Sequence, residues 1–173
     1  MQRALAEAVE GRLELIDQRR PIAAGERLLE IRRAPQPEQL LLEIRQVDLG
    51  GPGDEALVTG QSGRVLREVA QLIQGELRKS DRIFRYGGDE FVVTLPETGP
   101  EGALCVAHRL RRAVRLHRFL AAAGLTVKLT ASFGVATFPQ DGASQKDLVR
   151  AADRAMYRVK TRTRDGVASG GQE

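Results

Sequence analysis

Residues 82–96 read RIFRYGGDEFVVTLP. Two apolar runs flank four residues that a core would reject: Gly87, Gly88, Asp89 and Glu90. Adjacent carboxylates repel each other, and each favours a nearby cation. A divalent ion relieves both, and Mg2+ (or Mn2+) suits oxygen donors of this kind. Glycine leaves backbone N–H groups bare, so a phosphate can approach them closely. Bare amides for phosphate beside paired acids for metal are the equipment of nucleotide chemistry. A second reading needs no ligand. Gly-Gly supplies the positive φ angles of a two-residue turn, and a hairpin with a polar tip is the result.

The elements that must position this turn can be read from periodicity. Residues 82–86 and 91–95 form two short strands, close enough to pair as a hairpin. Upstream, residues 64–80 repeat apolar side chains at helical spacing, with Val65, Leu66, Val69, Leu72, Ile73 and Leu77 on one face. Residues 40–49 read as a buried strand, and the Gly-rich segment 50–63 follows it. Downstream come a long helix at about 101–122, ending at Gly124, and a strand at 125–138. A last helix follows, with Ser144 as its N-cap. Residues 2–33 carry helical spacing interrupted by Pro21 and Gly25, which predicts two helices. The order predicts an α+β fold of the sandwich type, with one mixed, mainly antiparallel sheet flanked by helices. Residues 1–33 would lead into the domain, 34–167 would form its core, and 168–173 would be a disordered tail.

The 173 residues suffice for one domain with a real core. Lys and Arg number 27 against 23 Asp and Glu, a net charge of +4 that favours anionic partners only mildly. Nucleic acid is not implied. Cys105 is the only cysteine, so no internal disulfide can form and a reducing compartment is expected. No apolar run approaches membrane-spanning length and no signal-peptide core is present, so the expected location is cytoplasmic. His108 and His117 stand nine residues apart on one helix and do not share a face, which argues against a metal pair. The basic run at 109–118 reads as a solvated face. Cys105 reads as a core residue.

The stretch RYGGDEF resembles the signature of the GGDEF family of diguanylate cyclase domains, which make cyclic di-GMP from two GTP; its five letters are intact at Gly87–Phe91. LTASFGVATF resembles the family's strand after the long helix. LVRAADRAMYRVKTRTR is similar to its closing helix, with Ala152-Asp153 and Tyr157–Lys160 in the expected places. The resemblance implies a nucleotide-cyclase-like fold with the signature on a β-hairpin. It implies that Gly87 and Gly88 contact GTP, that Asp89 and Glu90 hold the metal and help activate the attacking 3′-hydroxyl, and that Glu43 at the end of the first strand is the further metal-binding acid. An aspartate is usual at that position. Lys160 and Arg164 match the cations that neutralise the triphosphate, although a basic helix end also has a dipole reason to be there. Arg78-x-x-Asp81, five residues before Gly87 by the spacing of Asp81 to the signature, matches the inhibitory site that binds cyclic di-GMP, and Arg109 matches a further arginine of that site. An Arg–Asp pair capping a helix end is the alternative. The family also implies a homodimer for catalysis and an upstream sensory or receiver domain, as in a bacterial response regulator.

The chain departs from the pattern in its front third. The family's LTGL-x-NRR turn survives only as LELIDQRR, and the guanine-reading Asn cannot be in place because the chain contains no asparagine. Three readings follow: a diguanylate cyclase, a catalytically weak or inactive receptor for cyclic di-GMP or GTP, and a structural dimerisation module.

Overall fold

The computed structural model describes residues 14–15, 39–49 and 61–171. Its centre is a strand without alternation. Residues 129–137, LTASFGVAT, are buried at all but one position, so both faces of this strand are covered. Numbered along the chain, the strands are β1 (Glu14–Leu15), β2 (Gln39–Leu49), β3 (Arg82–Gly87), β4 (Glu90–Pro96), β5 (Leu129–Thr137) and β6 (Gly166–Ser169). The helices are α1 (Ser62–Glu76), α2 (Pro100–Leu116) and α3 (Gln145–Arg162). The strands form one sheet in the order β1-β3-β4-β2-β5-β6. Every neighbouring pair is antiparallel except β5 and β6. A parallel pair needs a crossover, and α3 supplies it.

Helices cover both faces. α1 turns Val65, Val69, Ala70 and Ile73 inward, and α2 turns Ala103, Val106, Ala107, Leu110 and Val114 inward. Both stripes enter one cluster with Phe91, Val93, Leu95, Phe133 and Val135 of the sheet. α3 covers the other face, where Leu148, Ala151 and Ala152 meet Val92 and Ala136. Ser144 caps α3 as expected: its Oγ accepts from the Asp147 N–H at 3.2 Å and donates to Asp147 Oδ2 at 2.6 Å. The mixed, mainly antiparallel sheet between helices is the architecture the sequence predicts, with the hairpin in place.

Four expectations need correction. α2 ends at Leu116 and does not run to 122. Its buried stripe would next bring His117 and Arg118 inward. The chain instead leaves the helix and buries Phe119 and Leu120, with Phe119 bridging to Val127. Glu68 secures the departure, taking His117 Nε2 at 2.8 Å and the Leu120 N–H at 2.9 Å. The later strand accordingly starts at Leu129, not at 125. The tail is not frayed at its start, because residues 166–169 pair with β5. Cys105 is exposed, since it falls between the buried positions of α2. Of the helices expected over 2–33, only Glu14 and Leu15 lie among the described residues, and they pair with Arg85 and Phe84 as a short strand.

α3 lies very close to the sheet at Gly134. A Cβ there would stand 2.0 Å from the Ala152 carbonyl oxygen and 2.8 Å from the Met156 backbone nitrogen. Both are rigid helix backbone, so the helix itself would have to lift. Gly134→Ala is therefore expected to destabilise the domain by about 2–4 kcal/mol, read as a lowered midpoint in urea denaturation. An unchanged midpoint would mean that the helix does not sit on the glycine.

Candidate functional site

The turn between β3 and β4 is tighter than Gly-Gly alone suggests, and it sits one residue later. Gly87 closes the ladder opposite Glu90, so the two loop residues are Gly88 and Asp89. Gly88 takes φ of +52°, while Gly87 has an ordinary φ. A two-residue turn with glycine first and only that residue left-handed is the II′ pattern. Arg85 braces it from the strand, its Nε and Nη2 donating to the Gly88 carbonyl at 3.0 and 2.7 Å. Arg85 does not stand out in the sequence, because an arginine beside a turn has no distinguishing spacing. A Cβ built on Gly87 or Gly88 would meet no atom of the described residues within 4 Å. At Gly88 the backbone angle accounts for glycine. At Gly87 neither the angle nor packing among the described residues does.

Register places the other candidates. Glu43 of β2 aligns with Val92 of β4, two positions along from Glu90. By strand alternation 90 and 92 fall on one face, and Val92 identifies it as the α3 face. Two β-bulges lie nearby, one between Arg85 and Gly87 and one between Arg45 and Val47. Bulges recur beside functional sites, where they re-aim the strand. α3 arrives at the same end of the sheet. Ser132 of β5 pairs with Arg45 on one side and with Gly166 on the other, and Gly166 packs on Val159 in the last turns of α3. The hairpin tip, the second half of β2 and the C-terminus of α3 thus share one end and one face. That brings Glu43, Gly87, Gly88, Asp89, Glu90, Lys160 and Arg164 into one region.

Asp89 and Glu90 are half-buried. Among the described residues no three His, Cys, Asp or Glu side chains group closely enough to hold a metal ion. Mg2+ does not require three, because it keeps several waters and is held through one or two carboxylates together with substrate phosphates. The donor chemistry of Asp89 and Glu90 fits such an ion, with Glu43 as the neighbouring acid by register.

Lys160 is half-buried on α3, and Arg164 is exposed just beyond it with φ of +53°. The following residue, Asp165, is gripped by Arg111 of α2 through Nε at 2.6 Å and Nη2 at 2.8 Å, with Arg115 Nη1 at 3.4 Å. The hydrogen bond to Asp165 raises the Arg111 guanidinium above its ordinary value; burial opposes this and the attraction of the carboxylate adds to it. Neither Arg111 nor Asp165 stood out in the sequence, where Arg111 is one of several arginines in RLRRAVRLHR.

The Arg78–Asp81 pair lies elsewhere. It precedes β3, and the hairpin tip is five strand residues further on, about 17 Å at the usual rise. Asp81 is buried, accepting from the Arg78 backbone N–H at 2.9 Å and from Ser80 Oγ at 3.3 Å. Its carboxylate therefore builds the turn. The Arg78 side chain is exposed. Arg109 reaches the same end of α1, donating to the Glu76 carbonyl at 2.7 Å and pairing with the Glu76 carboxylate at 3.3 Å. Arg78, Asp81 and Arg109 thus gather around one helix end. His108 is exposed, and His117 is half-buried against Glu68 and the edge of Phe119. No helix among the described residues is long and apolar enough to cross a membrane.

Residues 60–166 match the family model described as the diguanylate cyclase GGDEF domain. Diguanylate cyclase A of Treponema denticola is 38% identical over 103 residues, covering 60% of this chain and 28% of that protein. Diguanylate cyclase DosC of Escherichia coli is also 38% identical over 103 residues, covering 60% of this chain and 22% of that protein. The match thus spans about a quarter of the length of these relatives. Among solved structures, the GGDEF domain of YfiN from Pseudomonas aeruginosa superposes with a TM-score of 0.68 at 29% identity, covering 79% of this chain and 84% of that one.

The two glycines should separate experimentally. Gly88→Ala forces a side chain into the left-handed region and is expected to cost about 1–2 kcal/mol of stability. Gly87→Ala, with open space and an ordinary angle, is expected to stay within about 0.5 kcal/mol of the parent. Paired denaturation curves check both. Equal losses would show that Gly87 is required by the fold itself.

Proposed function

The chain belongs to the GGDEF family of diguanylate cyclase domains, and from that premise we propose that it condenses two GTP into cyclic di-GMP. The observation that carries the reading is the intact Gly87–Glu90 turn, whose first glycine is required by neither its backbone angle nor packing among the described residues. In this reading the N–H groups around Gly87 and Gly88 receive phosphate oxygens. Arg85 already occupies the Gly88 carbonyl, which removes one acceptor that would repel them. Asp89 and Glu90, with Glu43, hold Mg2+ or Mn2+. When bound, the ion neutralises phosphate charge and makes the 3′-hydroxyl more acidic. Lys160 and Arg164 neutralise the triphosphate from the α3 side. Each chain presents one GTP, so ring closure needs two chains face to face. Each 3′-hydroxyl then attacks the partner's α-phosphate, and pyrophosphate leaves.

The Arg78–Asp81 turn with Arg109 is the proposed cyclic di-GMP inhibitory site. Arg78 and Arg109 offer guanidinium groups for phosphate and for guanine, while Asp81 fixes the turn and retains acceptor capacity toward guanine N–H groups. Its distance from the hairpin is what a separate regulatory site requires. The short span of the match within its relatives supports operation beside an upstream sensory or receiver domain, in a cytoplasmic signalling protein.

A second reading has its own support. The chain holds no asparagine, so the family's base-reading residue is missing. Losing a hydrogen-bond partner for a base edge costs about 1–3 kcal/mol. A domain that binds cyclic di-GMP or GTP without turning it over would follow.

Incubation with GTP and Mg2+ is expected to yield cyclic di-GMP and pyrophosphate, and Glu90→Gln is expected to lower the rate about 100-fold or more. Calorimetric titration with cyclic di-GMP should show binding that Arg78→Ala weakens about tenfold or more. Binding without turnover selects the receptor. Neither turnover nor binding would overturn both readings.

A further inference from the structure

Arg164 occupies a conformation its own sequence does not favour. It is a non-glycine residue with φ of +53°, directly after α3. The helix end holds it from one side, where the Thr163 and Arg164 N–H groups both reach the Val159 carbonyl, at 2.9 and 3.2 Å. Thr163 Oγ1 adds a local strap, accepting from the Asp165 N–H at 3.4 Å and donating to the Asp165 carbonyl at 3.3 Å. The strongest hold comes from a different element. Arg111 of α2 grips the Asp165 carboxylate with two hydrogen bonds, and that carboxylate is only 16% exposed. Beyond it, Gly166 is pressed against Val159 and begins β6. The turn is pinned on both sides, and the side-chain clamp sits next to the one residue in the strained conformation. Residues held this way concentrate where geometry serves function.

Resting on the nucleotide reading above, we propose that Arg111 is a positioning residue for Arg164: by clamping Asp165 it fixes the left-handed turn that aims the Arg164 guanidinium at the nucleotide's phosphates. The clamp also acts through charge. Asp165 follows Arg164 directly, and a bare carboxylate there would oppose a polyanion. Arg111 and Arg115 neutralise it from the side of α2. α2 thereby contributes to a site on the opposite side of the sheet without touching the ligand. A lysine would keep the charge but lose the two-pronged geometry.

The test is a double-mutant cycle on the full chain, read as binding of a non-hydrolysable GTP analogue with Mg2+ by calorimetry. Arg164→Ala should weaken binding about tenfold, and Arg111→Gln about three- to tenfold. Arg111→Lys should fall between Arg111→Gln and the parent. In the Arg164→Ala background, Arg111→Lys, which keeps the charge beside Asp165, should produce no further loss, because its geometric effect runs through Arg164; Arg111→Gln should there cost less than in the parent. If Arg111→Gln prevents folding, Arg111→Lys carries the same cycle. Full affinity in the Arg111 variants, or losses that multiply in the double variant, would overturn the positioning role while leaving the nucleotide site standing. An Arg164→Ala chain that binds as the parent does would instead overturn the assignment of Arg164 as a phosphate ligand. A parent chain that does not bind the analogue would overturn the nucleotide reading itself.

Discussion

The contact on which the rest depends is the seating of α3 on Gly134. Helix backbone lies where any side chain on that strand position would stand. Small residues continue the approach, with Ala151, Ala152 and Ala155 buried along the helix. Close seating fixes where α3 ends, and it ends at the same end of the sheet as the hairpin tip. β2 is the other half of the constraint. It pairs with β4 on one side and β5 on the other, so the register at residues 43–45 ties the hairpin to the strand beneath α3. One helix and one central strand therefore set the spacing between the acidic turn and the cationic helix end.

Two left-handed residues border the site, and each is braced by an arginine. Gly88 is left-handed at the hairpin, and Arg85 holds its carbonyl. Arg164 is left-handed beyond α3, and Arg111 holds its neighbour. A non-glycine residue in that region costs about 1–2 kcal/mol, and a charged hydrogen bond returns a comparable 1.5–3 kcal/mol. Glycine is used where the angle is needed and no side chain is. Arginine stays at 164 despite the angle, which is expected if its guanidinium has work there.

The fold was legible where one pattern dominated. α1 shows a clean 3.6-residue stripe, and the hairpin shows two apolar runs around a glycine turn. The strand expected over 125–138 was legible from its Thr and Val residues, though it starts four residues later, at Leu129. What could not be read was decided by partners far along the chain. The end of α2 depends on Glu68, about fifty residues upstream. β6 is four small residues, GVAS, with no pattern of its own, and only the open edge of β5 makes them a strand. Of the site, the glycines and acids were legible because their composition is costly in a core. The clamp was not: Arg111 differs from its neighbouring arginines in gripping Asp165 with two hydrogen bonds, which becomes apparent when α2 and β6 are placed side by side.

In the proposed site the Gly87–Glu90 turn and the end of α3 form two walls around one nucleotide. Backbone amide chemical shifts, followed as Mg2+ and a non-hydrolysable GTP analogue are added, test it most directly. Saturable shifts are expected at Gly87, Gly88 and Asp89 together with Lys160 and Arg164, all fitting one dissociation constant and all requiring the metal. Shifts confined to one of the two walls, or found only around Arg78 and Arg109, would contradict it.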